Sequence, residues 1–345
     1  MANTLAEYKY LGDDADIRLG IAQTIVKVSP WLRELPFVEI NNNVSRYKME
    51  TAEAAADTYE AGDTWVEGTP TWESRDAPLA ILGGDADVDN FGELASEPDK
   101  AMASVIALKA KAVGHRFEKL CIYGQTTSVT DLSATKNFKG LLRLIAECEG
   151  SSVTDLDGHV YNVDPETANN KQVLFAASGA SAALTLVMFD ALVDAVRPAP
   201  THLVMSRFSR RKLMSLAQTA GENLEHDKGQ LGYPVTKYGE QIVLIDDQLK
   251  DNMDDSSTLV TAIASYDYNQ TSTTAKDGQP IFAVRFGEDG LCGINGAGMI
   301  QTVRINNGGD LETKDAKRTR IKAYLGLRLT NKLAAAVLLN GNYAG

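Results

Sequence analysis

Four histidines, three cysteines and one run of alternating aspartates are the residues of this chain best suited to chemistry. His115, His159, His202 and His226 lie far apart, and no cysteine stands at zinc-binding spacing from any of them. Cys121, Cys148 and Cys292 are odd in number and scattered, which fits a reducing compartment and argues against a disulfide framework. Asp85-Ala86-Asp87-Val88-Asp89 opens like a calcium loop, whose carboxylates converge on the ion from alternate positions. Asn90 stands where the turn glycine belongs, and Ser96 where the bidentate glutamate belongs. Alternation with Ala86 and Val88 explains the same run as a strand with a solvated acidic face. Gly293, Gly296 and Gly298 lack the order of a dinucleotide loop, so a turn between strands is expected there. Arg207, Arg210, Arg211 and Lys212 could touch phosphate, and a solvated helix face accounts for them as well. No phosphate-loop lysine motif and no G-x-S-x-G elbow is present. The expectation is a protein with no catalytic residues, no metal and no cofactor.

The elements that would carry these residues follow from composition and pattern. At 345 residues and 44% hydrophobic content the chain can bury a sizeable core, in one large or two modest domains. A formal charge of -12 repels phosphates, so strong sequence-independent nucleic-acid binding by the bulk protein is not expected. No apolar run of membrane-spanning length and no signal-peptide pattern occurs, so neither membrane insertion nor secretion is expected.

Residues 14–28 read as a short amphipathic helix carrying Ile17, Ile21, Ile25 and Val28 on one face. From 37 to 89 the pattern is two extended runs about a Gly-, Pro- and Thr-rich middle, GDTWVEGTPTWES. Glu50, Glu53, Asp57, Glu60, Asp63, Glu67, Glu73 and Asp76 crowd this segment, and Arg75 is the only base between 50 and 76. The clearest element is a helix over 97–123, opened by Ser96 and Asp99 at capping-box spacing. Gly114 is a place where it could bend. Residues 141–300 mix helices, at 182–196 and 207–218, with the strand-like runs HLVMS, QIVLID, LVTAIASY and IFAVRF. Segments 125–137 and 267–279 read as surface loops. Between 318 and 329, Arg318, Arg320, Lys322, Tyr324 and Arg328 alternate with Ile321, Ala323, Leu325, Leu327 and Leu329, a half-buried strand with one basic face.

The order of these elements resembles the major capsid family of tailed bacteriophages, which has the α+β Hong Kong 97 type fold. The stretches LAILGGDADVDNF, FKGLL, THLVMSRFSRRKLMSLA and DLETKDAKRTRIKAYLGLRLTNKLAAAVL carry the likeness over essentially the full chain. The resemblance implies an N-terminal arm (1–36), an extended E-loop hairpin (37–89), and a peripheral domain (90–140 and 301–330) containing spine helix 97–123. It assigns 141–300 and 331–345 to an axial domain, and the function to an icosahedral shell of hexamers and pentamers around packaged DNA. The implied partners are further copies of the chain, a separate scaffolding protein, a portal, decoration proteins, and DNA by weak non-specific contact only. The implied place is the virion, after synthesis in the cytoplasm of a host bacterium. A crosslinking lysine is not indicated, Lys48 being the only lysine between 37 and 89. An encapsulin-like compartment shares the fold, and a soluble α/β enzyme with a dispersed site is the third reading.

Segregated charge then suggests how copies would meet. Glu50, Glu53, Asp57, Glu60, Asp63 and Glu67 are the expected contact residues of the hairpin, and Arg318, Arg320, Lys322 and Arg328 the expected receiving face. A strand face simply bathed in solvent is the alternative.

Overall fold

The computed structural model of the chain describes residues 29–52, 56–68, 71–90, 98–124, 136–149, 172–176, 182–221, 225–228, 234–249, 279–304, 310–311 and 314–342. The expected helix at 14–28, the run LVTAIASY, Ser96, Glu53 and most of the two expected loops lie outside these residues. Among them, one sheet joins β1 (Phe37–Glu39), β12 (Leu291–Arg304), β14 (Lys314–Leu329) and β13 (Asp310–Leu311) in that order, with β4 (Ala80–Asp89) also on β14. The expected alternation holds along β14: Ile321, Ala323, Leu325, Leu327 and Leu329 are buried while the intervening cations are half-exposed. Helix α2 (Pro98–Tyr123) shares one core with that face, Ile106, Ala110, Val113 and Phe117 clustering with Leu82, Ala86, Ile321 and Ala323. Its 26 residues run unbroken through Gly114, a length of roughly 40 Å.

The second sheet has the order β5 (Val173–Phe175), β15 (Ala335–Asn342), β11 (Gln279–Val284), β7 (His202–Met205), β10 (Gln241–Ile245), β9 (Pro234–Tyr238), β8 (Glu225–Lys228). Its central strands read as continuous apolar runs because both faces are covered. Phe282, Val284, Val204 and Val337 enter the core that contains α2, whereas Ile281, Ala283, Leu203, Met205 and Leu338 pack with Phe189, Leu192 and Leu213. Those last three belong to helices α4 (Leu186–Asp194) and α5 (Arg207–Ala220). Each fully buried aliphatic or aromatic side chain contributes about 1.5–3 kcal/mol. The Ser206 hydroxyl caps α5 by accepting from Ser209 N at 3.1 Å, and Gly221 closes it at φ 80.

A separate two-stranded sheet, β2 (Val44–Ala52) on β3 (Thr71–Pro78), is the extended hairpin. It is narrower than 37–89 at both ends, since β1 and β4 pair into the first sheet. The expected turn at the glycine cluster is corrected: Gly293 and Gly296 lie inside β12. There a Cβ on Gly293 would stand 2.4 Å from the Phe37 ring, so glycine lets β1 close on the strand. The helix expected from 182 begins only at Leu186, because β6 (Ala182–Ala183) pairs with Gly341 and Asn342 of β15. Strand β12 joins the first sheet from Leu291, ahead of the expected return at 301.

Gly124, after α2, and Gly140, before α3 (Leu141–Glu149), meet backbone to backbone. Gly140 N donates to Gly124 O at 2.8 Å, and a Cβ on Gly140 would lie 2.5 Å from Gly124 N and 2.7 Å from Leu120 O. Gly140→Ala is therefore expected to destabilise by about 1–3 kcal/mol, because rigid backbone must move. A lowered urea midpoint of the unassembled chain is the readout, and an unchanged midpoint would contradict the crossing.

Candidate assembly surfaces

The antiparallel register of β4 on β14 sets Asp87 opposite Arg318 and Asp85 opposite Arg320. Both pairs are forked: Arg318 donates from Nε and Nη2 to the two Asp87 oxygens at 2.6 Å each, and Arg320 to those of Asp85 at 2.6 and 2.8 Å. The guanidinium bonds hold both carboxyls below the usual range. The aspartate run is thus a strand whose acids already face two cations, and nothing in it resembles a calcium cage. The same bonds change the expected receiving face, because Arg318 and Arg320 have their forks filled from within the chain. Arg328 lies with its guanidinium 5.9 Å from the Tyr47 ring centre and donates to Ser45 Oγ at 3.4 Å, so it braces the base of its own hairpin. Lys322 lies opposite Gly83 and is half-exposed.

The hairpin is pinned by a second cation, Arg75, which in the sequence stands out only as a lone base among acids. Arg75 on β3 is buried; its Nη2 donates to Glu147 O at 3.2 Å and its Nη1 lies 3.7 Å from Glu147 Oε2. Glu147, on α3, also meets Arg143 Nε at 2.8 Å and Lys139 Nζ at 3.0 Å. Burial pushes the Glu147 carboxyl up, and Lys139 and Arg143 oppose the shift. The i, i+4 spacing of Arg143 and Glu147 was the one sequence signal for this cluster.

Away from that anchor the hairpin is open. Glu50, Asp57, Glu60, Asp63 and Glu67 are all exposed. Asp63 Oδ2 accepts from Glu60 N at 2.7 Å about a turn where Gly62 has φ 105. Tyr59 stacks on Trp65 at 4.4 Å and its hydroxyl accepts from Val66 N at 3.0 Å, which orders the tip. Trp65 and Val66 nevertheless remain 77% and 71% exposed. An exposed tryptophan on a structured acidic turn is the kind of anchor that interfaces bury.

A third cluster joins the layers. Trp31, in α1 (Pro30–Glu34), is fully buried and donates from Nε1 to Asp246 Oδ2 at 2.6 Å. Gln248 N donates to Asp246 Oδ1 at 2.7 Å. Glu118 of α2 is hydrogen-bonded to Asp246, and burial together with the neighbouring Asp246 charge pushes its carboxyl up to about 9. His115 Nδ1 lies 3.5 Å from Glu118 Oε2, and burial pushes this imidazole down. Two carboxyls sharing a proton could serve acid–base chemistry in a cleft, but Asp246 has no exposed surface to offer a substrate. Of the other histidines, His202 is buried against the Phe286 ring at 4.3 Å, His226 is in β8, and His159 lies outside the described residues. All three cysteines are buried, and burial pushes their thiols up. Among the described residues no group of His, Cys, Asp or Glu is placed to hold a metal ion, and no helix is long and apolar enough to cross a membrane.

No family model and no curated protein matches the sequence. Solved structures do match. The SrpI encapsulin complex of Synechococcus elongatus PCC 7942 aligns at 14% identity and a TM-score of 0.58, over 100% of this chain and 98% of that one. The capsid of the native GTA particle aligns at 12% identity and 0.55, over 91% and 90%. The structure titled Mycobacterium phage Bobi aligns at 13% identity and 0.52, over 90% of each chain. With two larger sheets, a 26-residue helix and a two-stranded hairpin among its described residues, and with these matches over nine-tenths or more of its length, this chain has the α+β Hong Kong 97 type shell fold.

Proposed function

We propose that the chain is the major capsid protein of a tailed bacteriophage, assembling as hexamers and pentamers into an icosahedral shell around packaged DNA. The observation that carries this reading is a hairpin held by buried Arg75 and open at its acidic, aromatic tip, within a fold shared with the capsid of the GTA particle. An isolated two-stranded hairpin is marginal in water, so a projecting one makes physical sense when a neighbour covers it. On this reading Glu50, Asp57, Glu60, Asp63 and Glu67 face the next copy, with 1–36 as an arm and the second sheet as the axial domain. Charge sets register there, and buried apolar area supplies adhesion. A separate scaffolding protein, a portal and decoration proteins are the further partners. The virion is the place, after synthesis in the cytoplasm of a host bacterium. No catalytic role is assigned.

The second reading, a cellular compartment shell, is supported by the encapsulin match over the whole chain. Negative-stain microscopy and light scattering of the chain, expressed alone and with an adjacent scaffolding gene, test both. Closed shells, tubes or capsomer rings are expected. A monomer under both conditions would overturn the shell proposal. Particles that enclose a cargo enzyme instead of DNA would favour the compartment.

A further inference from the structure

Three segments of the chain meet on one pair of buried carboxyls: α1 through Trp31, α2 through Glu118, and the turn after β10 through Asp246. Asp246 is fully buried, Glu118 is 3% exposed, and the two are hydrogen-bonded to each other. With one proton between them, Glu118 donates to Asp246, and Trp31 Nε1 and Gln248 N donate to the same carboxylate at 2.6 and 2.7 Å. One negative charge thus receives three hydrogen bonds. Loss of that proton leaves two carboxylates in contact, and the charged groups around them do not compensate the second charge. Lys119 of α2 is exposed, and Arg207 of α5 is engaged by Asp247 at 2.8 Å. Asp247 adds a further negative charge. His115 Nδ1 lies 3.5 Å from Glu118 Oε2, but burial and the Lys111 and Lys119 charges push this imidazole down, so it supplies no cation at neutral or alkaline pH. Burial pushes the Cys121 thiol well up, so it stays protonated. Beyond Trp31, across the Phe286 ring, burial holds His202 neutral above about 4. Arg33 and Glu34 of α1 pair with each other at 2.9 Å.

The joint is weakest at α1. Helix α2 has 26 residues in the core, and β10 lies between β7 and β9. Helix α1 has five residues, too few to stand as a helix by itself. Ser29 at its start is fully buried, yet its hydroxyl makes no capping bond and has no hydrogen-bond partner among the described residues. A buried hydroxyl left without a partner opposes the docking of α1. The chain is held again directly afterwards, where Gly293 N donates to Pro36 O at 2.8 Å and β1 pairs with β12. We propose that Glu118 and Asp246 form a proton-operated clasp on α1, closed while one proton bridges the two carboxyls and open once it is lost, with Trp31 withdrawn and residues 29–35 released from the body. Release stops at Pro36, so the sheets and α2 stay folded. Glu118 holds its proton up to about 9 against an ordinary 4.5, which fixes the direction. Opening increases as pH rises, by up to about tenfold per unit between those values. The clasp belongs to the single chain and does not depend on the shell reading. If that reading holds, with 1–36 as an arm, the clasp decides whether the arm is fastened to its own subunit.

Tryptophan emission of the full-length, unassembled chain tests it. Trp65 and Trp72 are 77% and 56% exposed, so Trp65→Phe with Trp72→Phe leaves Trp31 as the only tryptophan at little structural cost. From pH 6 to 9.5 its emission is expected to shift to the red and its acrylamide quenching constant to rise at least threefold, reversibly, with unchanged far-ultraviolet circular dichroism. Adding Glu118→Gln puts an amide N–H in place of the acid O–H, with no proton to lose, and is expected to keep Trp31 shielded over the whole range. Should that variant fail to fold, Asp246→Asn gives the second measurement: with one carboxyl gone, the pH response is expected to shrink at least twofold. A Trp31 signal that is the same at pH 6 and 9.5 would overturn the clasp. So would a full response in Glu118→Gln or in Asp246→Asn, or a red shift that comes with loss of circular dichroism, which would mean global unfolding. Particle formation enters none of these readings and is tested separately by microscopy.

Discussion

Asp246→Ala is expected to destabilise the chain by about 2–5 kcal/mol, because it strands two donors, Trp31 Nε1 and Gln248 N, that now reach Asp246 at 2.6 and 2.7 Å. Trp31 is fully buried, so its indole N–H does not reach bulk solvent in place of the lost acceptor. Asp246→Asn keeps an oxygen for Trp31 and is expected to lose less. The same cluster makes stability depend on pH. Folded Glu118 holds its proton up to about 9, whereas the unfolded residue releases it near 4.5. Between those values the folded chain binds one proton more than the unfolded chain, so stability falls as pH rises, by about 1.4 kcal/mol per unit. The contribution is complete below 4.5 and gone above 9. Burial raises Asp246 as well, which acts in the same direction. Asp85 and Asp87 act oppositely: their carboxyls are lowered, so their contribution is lost only in acid, below the ordinary carboxylate range. Urea midpoints of Glu118→Gln across pH 5–9 are expected to show a flatter decline than the wild type. Parallel curves would mean that Glu118 is not the proton carrier.

Arg75→Ala is expected to release the hairpin from α3, costing about 2–4 kcal/mol locally, since a buried cation and its hydrogen bond to Glu147 O are removed together. Glu147 keeps Arg143 and Lys139, which is why global unfolding need not follow. The result should be lost amide protection across β2 and β3 with protection of β11 and β15 retained, and a sharp fall in assembled particles. Arg75→Lys is expected to rescue poorly, because one ammonium cannot serve the Glu147 carbonyl and carboxylate at once. Wild-type protection and particle yield in Arg75→Ala would show that the hairpin stands without this anchor.

The long helix and β14 were legible because each expresses a single period over many residues: 26 in α2 and 16 in β14. The central strands were legible as apolar runs, although nothing local revealed that Ile281 and Phe282 enter different cores. Short elements were harder. The glycine run at 293–298 reads as a turn until Phe37 closes on it, and Ala182 and Ala183 look helical until β15 offers them hydrogen bonds. In each case a partner distant in sequence outweighed a weak local preference.

The acidic hairpin, the basic face of β14 and the absence of any motif for metal or nucleotide were properties of the sequence alone, because residue type and a period of two or 3.6 suffice to define them. Which charges meet was decided only by tertiary structure. Arg320 and Asp85 stand 235 residues apart, and Asp246 and Trp31 stand 215 apart. Strand register and burial, not sequence spacing, determine such pairs, since a carboxylate two residues off register faces a different cation. The sequence therefore specified a basic strand face, and the fold set the aspartates of β4 against Arg318 and Arg320 on it.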